Sequence, residues 1–62
     1  MKWQAHKGGF ISGNYLIFKN TRLYWSVWLQ DDEGYRMLTY TMELSRDAKQ
    51  FAEAHAKLKA AA

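Results

Sequence analysis

From Tyr15 onward the apolar positions come in three short runs: Tyr15-Leu16-Ile17-Phe18, Tyr24-Trp25-Ser26-Val27-Trp28-Leu29 and Tyr35-Arg36-Met37-Leu38-Thr39-Tyr40. Aromatic and β-branched residues of this kind fit a pleated surface, so the pattern predicts three β-strands. The separators are turn-like. Asn20-Thr21 lies in the first, and Asp31-Asp32-Glu33-Gly34 in the second is a good hairpin loop because Gly34 is able to adopt the left-handed conformation. After Leu44 the chain turns to Ala, Lys, Glu and Gln, which favour helix. Ser45 is the natural N-cap, Asp47 meets the positive end of the helix dipole, and Lys57 and Lys59 meet the negative end. The expected fold is α+β, a three-stranded antiparallel sheet over 14–42 packed on one C-terminal helix over 45–59 (βββα). Residues 1–13, with Gly8, Gly9 and Gly13, read as a flexible N-terminal arm with room for extended pieces at Trp3 and Phe10-Ile11, and 1–62 as a single domain.

Slipping a strand by one residue inverts its faces, so a register assigns every side chain. If Phe18 opposes Trp25, Leu16 opposes Val27; if Gln30 and Tyr35 flank the second loop, Val27 opposes Leu38 and Trp25 opposes Tyr40. These registers predict a core of Leu16, Phe18, Trp25, Val27, Leu29, Leu38, Tyr40 and Met42, covered by the helix through Phe51 and Leu58. The opposite face then carries Tyr15, Ile17, Lys19, Tyr24, Ser26, Trp28, Tyr35, Met37, Thr39 and Thr41, too apolar a set for a face meant only for water. Two explanations fit it: the arm folds back over it through Trp3 or Phe10, or it is an interface.

Length and composition narrow the picture. At 62 residues with no cysteine, the chain holds one domain near the size where a single core just offsets chain entropy, so self-association would help it. The lack of disulfides and of a signal-like or membrane-spanning apolar run points to a cytoplasmic protein without a membrane partner. Net charge is +3, and no acidic residue precedes Asp31, so the first half is basic through Lys2, Lys7, Lys19 and Arg22. The basic loop after Lys19 and the acidic loop Asp31 to Gly34 end the same central strand and must lie at opposite ends of the sheet. A helix returning from Ser45 then carries Lys57 and Lys59 toward the acidic end.

Candidate chemistry is sparse. His6 and His55 stand far apart in the chain, a metal centre needs three or four ligands at defined spacing, and neither a thiol nor a glycine-rich phosphate loop is present. The expectation is a protein that is not an enzyme, with no cofactor and no metal.

The stretch from Tyr15 to His55, about two thirds of the chain, runs through Tyr24-Trp25-Ser26-Val27-Trp28-Leu29-Gln30-Asp31, a hairpin, and Thr41-Met42-Glu43-Leu44-Ser45-Arg46-Asp47-Ala48. It resembles the DNA-binding domain of plant ethylene-response factors and the arm-binding domain of tyrosine recombinases. It also looks like small phage and plasmid proteins, inhibitors of host defence among them. The first resemblance implies a three-stranded sheet laid in the DNA major groove, with the helix behind. Base edges are read by Arg, Lys, Asn or Gln, and only Lys19, Arg22 and Gln30 suit that role here.

The functional expectation is therefore a small protein-binding module of phage or mobile-element type. It docks a second copy of itself, as a homodimer, or a host protein that it inhibits, such as a defence-system component. Its partner-binding residues are Tyr15, Ile17, Lys19, Arg22, Tyr24, Trp28, Tyr35 and Met37. The alternative is nucleic-acid binding by the same face and the basic first half, with aromatics stacking on bases.

Overall fold

A computed structural model describes residues 1–20 and 23–61, and these form one antiparallel sheet backed by one helix. The strands are β1 (Gln4–His6), β2 (Gly9–Ser12), β3 (Tyr15–Lys19), β4 (Trp25–Asp31) and β5 (Gly34–Met42), followed by α1 (Ser45–Ala61). Strand order in the sheet equals chain order, so each strand pairs with the next in a meander. The expected α+β class and C-terminal helix are present, but the sheet has five strands rather than three. The segment read as an arm supplies the other two. Gly13-Asn14 makes a two-residue connection between Ser12 and Tyr15, and Lys7-Gly8 makes another between His6 and Gly9.

Register decides which side chains meet the helix, and on β3 it differs by one residue from the expected one. Ile17 opposes Val27, Leu16 opposes Trp28 and Phe18 opposes Ser26. The core is therefore built from Tyr15, Ile17, Val27 and Leu29, closed by Ala48 and Ala52 of α1. Leu16 and Phe18, placed in the core by the sequence pattern, lie on the other side of the sheet. Small side chains on the facing helix surface let α1 sit close to the strands, and Phe51 and Ala56 pack at its flanks. Of the two residues expected to cover the core, Phe51 packs against it, but Leu58 is 73% exposed, because Ala48 and Ala52 face inward at the centre of the helix.

The second hairpin begins as expected, with Gln30 opposite Tyr35, Gly34 at φ +117, and the Glu33 amide donating to Asp31 Oδ1 at 2.9 Å. Farther along, Val27 pairs with Thr39 and Trp25 with Met42, so β5 carries an extra residue at two places. These irregularities bring both Leu38 and Met42 against the core and leave Tyr40 exposed, although the sequence pattern assigns Tyr40 to the core. At the start of α1 the Leu44 carbonyl accepts hydrogen bonds from the amides of Asp47 and Ala48. Among the described residues, no helix is long and apolar enough to cross a membrane.

Candidate functional site

The N-terminal hairpin settles which side of the sheet is covered. Phe10 stacks on Trp25 at 6.2 Å, Lys49 of α1 places Nζ 3.8 Å above the Phe10 ring, and Trp3 Nε1 donates to Glu53 Oε2 at 3.0 Å. Trp3 and Phe10 thus belong to the helix side, so of the two explanations for the apolar face the one in which they fold back over it does not hold. Helix, Trp3 and Phe10 all crowd one layer.

The other face is organised by cross-strand rows. Gln4, Ile11, Leu16, Trp28 and Met37 follow one another as pairing partners across all five strands. The adjoining row runs His6, Gly9, Phe18, Ser26. Because Gly9 has no side chain and Ser26 a small one, the large rings of this face gather around Phe18 and Trp28. These two stack at 5.9 Å with planes 7° apart. The indole lies down on the sheet: Trp28 Nε1 donates to Ser26 Oγ at 2.9 Å, and Ser26 Oγ donates to the Phe18 carbonyl at 3.1 Å. Ser26 is fully buried beneath the rings, and its polar atoms are satisfied. Leu16, Phe18, Trp28 and Tyr35 line one shallow apolar depression, and His6, Lys7, Leu16 and Phe18 line its neighbour. Tyr35 and Met37 are about half exposed at the β5 side.

Of the expected partner-binding residues, the structure gathers Trp28, Tyr35 and Met37 on this open face. Tyr15 and Ile17 are corrected: at 6% and 0% exposure they are core residues under α1, because of the one-residue register difference on β3. Lys19 follows the helix-side alternation opposite Trp25 and lines a recess at the sheet end with Leu23, Tyr24, Glu43 and Leu44. Glu43 in that recess means this end of the sheet is not purely basic. Tyr24 is half-buried there, and Arg22 lies outside the described residues. The sequence pattern missed Ile11, Leu16 and Phe18. The Gly-Asn dipeptide at 13 and 14 is the signal that finds them, since a two-residue hairpin there fixes β2 beside β3.

On the helix side, the Tyr15 hydroxyl and His55 Nδ1 lie 2.8 Å apart, a hydrogen bond in which the hydroxyl donates when Nδ1 carries no proton. The two rings meet edge to face at 5.8 Å. Burial pushes the Tyr15 phenol above its ordinary 10.0. Tyr15 therefore contributes a stability term that is complete below pH 10 and is lost as pH rises through the higher folded value. Replacing Tyr15 with Phe should cost about 1 kcal/mol at pH 7 through the lost hydrogen bond. In urea unfolding series the gap between wild type and Tyr15→Phe should narrow at alkaline pH, the other tyrosines cancelling in the comparison. A gap that stays constant into the alkaline range would show that Tyr15 is not held protonated by the fold.

Comparisons with protein-family models, with curated proteins and with solved structures find no match for this chain.

Proposed function

We propose that this chain is a small non-catalytic protein-binding module that docks a partner protein through the open face of its sheet. The observation that carries the reading is the row Ile11, Leu16, Trp28, Met37, flanked by Phe18 and Tyr35. It is apolar across four strands, while the helix and the Trp3 and Phe10 side chains lie on the opposite layer. Interfaces concentrate aromatic residues and Met at their centre and deplete charge there, and the centre of this face has that composition. The register favours protein over nucleic acid, because it takes Lys19 off this face and puts Leu16, Phe18 and Ile11 on it. Base readout and phosphate contact need the polar and cationic groups that those residues replace.

Site-specific photo-crosslinking tests the reading. A benzophenone amino acid at Met37 or Leu16 should give covalent protein adducts in living cells, whereas the same group at exposed Gln50 on α1 should give none. Failure of both face positions to yield a protein adduct would overturn the proposal. Nucleic acid is the second reading, favoured by the absence of any acidic residue before Asp31. It requires a mobility shift of DNA or RNA at low salt that fades steeply as salt rises, whereas the protein-docking reading expects no shift.

A further inference from the structure

The charges that border the open face are not spread evenly. The β1–β2 turn, with His6 and Lys7, lies at the end of the sheet where Phe18 and Lys19 finish β3. The β4–β5 turn, with Asp31, Asp32 and Glu33, lies at the other end, beside the Gly13-Asn14 turn, where the Gln30 amide donates to the Asn14 carbonyl. Strand order puts β1 and β2 at one side and β4 and β5 at the other. The basic and acidic turns therefore occupy diagonally opposite corners of one sheet. Between them lie Leu16, Phe18 and Trp28, which carry no charge.

We infer that the occupant of this face is a second copy of the chain, packed face to face about a two-fold axis that runs along the other diagonal. This rests on the reading of the face as a docking surface. Rotation about that axis carries each His6–Lys7 corner over the Asp31–Glu33 corner of the other copy, twice in the dimer, and brings the two uncharged centres together. Four spacings of about 4.8 Å separate β1 from β5, and the central strands β3 and β4, of five and seven residues rising about 3.3 Å each, are of similar length, so a diagonal axis crosses the two sets of strands at a steep angle, nearer 90° than parallel. That is one of the two arrangements in which sheets pack face to face.

Two further observations favour a second copy. A standard interface takes about 800 Å² from each partner. That is about one sixth of the 4637 Å² this chain exposes, the share that one side of a compact body presents. The core of the single copy is also small, with Tyr15, Ile17, Val27 and Leu29 as its only large buried apolar side chains among the described residues. Burying Phe18 and Trp28 between two copies would supply the apolar area that a 62-residue chain lacks.

Sedimentation equilibrium of the purified full chain over a range of concentrations tests the inference. The expected mass is twice the 7.3 kDa of the chain. Trp28→Glu and Met37→Glu should each shift it to the single-chain mass, with a lower melting temperature. Lys7→Glu should weaken the dimer about tenfold by setting like charges over each other at both corners. Combining Lys7→Glu with Asp32→Lys should restore the dimer, a rescue that loss of folding cannot imitate. A single-chain mass at every concentration would overturn the second copy as occupant; Met37 crosslinks to another protein would then still uphold the docking face. A dimer that survives both Trp28→Glu and Met37→Glu would place self-association elsewhere, and a dimer indifferent to Lys7→Glu would overturn the diagonal arrangement.

Discussion

Replacing Gly9 with alanine should lower stability by about 3 kcal/mol, the upper part of the range for forcing extra atoms into a packed site. Gly9 opens β2 opposite Phe18 and is buried. A methyl group there would overlap the Ile17 carbonyl oxygen and come within 2.7 Å of Phe18 Cβ and 2.9 Å of Phe18 Cα. Two of these three atoms belong to the backbone, so no rotamer change relieves the clash, and the β2–β3 ladder must open. The N-terminal hairpin would then lose its seat, and with it the Phe10–Trp25 stack and the Trp3–Glu53 hydrogen bond. In a domain of this size the expected drop in melting temperature is roughly 15 °C. Hydrogen exchange should show the amides of β1 and β2 exposed while those of β4 remain protected. A variant with wild-type stability would mean that β2 is not seated on β3 in this register.

Two neighbouring truncations should behave very differently. Ile17→Ala removes a fully buried side chain at the centre of the core and should cost about 3 kcal/mol, whereas Leu16→Ala, on the open face, should cost under about 1.5 kcal/mol in the single copy. Chemical denaturation at a concentration below self-association checks the pair. The reverse order would establish the register that opposes Leu16 to Val27. Equal costs would show that both faces of β3 are covered.

That comparison also marks how far the sequence is legible. The β3, β4 and β5 segments and the helix follow from composition and turn residues, and the Gln30–Tyr35 pairing follows from the acidic hairpin loop. The register of β3 does not follow, because Tyr15-Leu16-Ile17-Phe18 is apolar at every position and so carries no alternation to choose one face over the other. The connection from Lys19 to Trp25 is too long to fix the register as a two-residue turn would. The far half of β5 is illegible for a different reason: its two extra residues shift the alternation from within, which no periodic reading of Met37-Leu38-Thr39-Tyr40 reveals. β1 and β2 are short and glycine-bordered, and their apolar content, Phe10 and Ile11, is too small to stand out without the hairpin signals at 7–8 and 13–14. On the helix, Leu58 outranks alanine in hydropathy, yet the sheet selects Ala48 and Ala52, since close approach matters more there than side-chain size. The sequence pattern thus puts Trp28, Tyr35 and Met37 on the face opposite the helix, where they lie, but inverts β3, so that Tyr15 and Ile17 lie in the core instead.

The irregularities on β5 bear on whether copies of this chain can add to one another edge to edge. β5 is the longer of the two border strands, nine residues against three for β1, and a regular border of that length would template the addition of strand upon strand. Because its pairing slips twice, its amides and carbonyls fall out of step with any straight strand laid alongside, and continuous fibril-like extension has no template. The face-to-face pairing we infer would have the opposite property, since each copy would use up the surface by which a third could join. The bent border and the aromatic face together favour an assembly that closes at two over one that propagates.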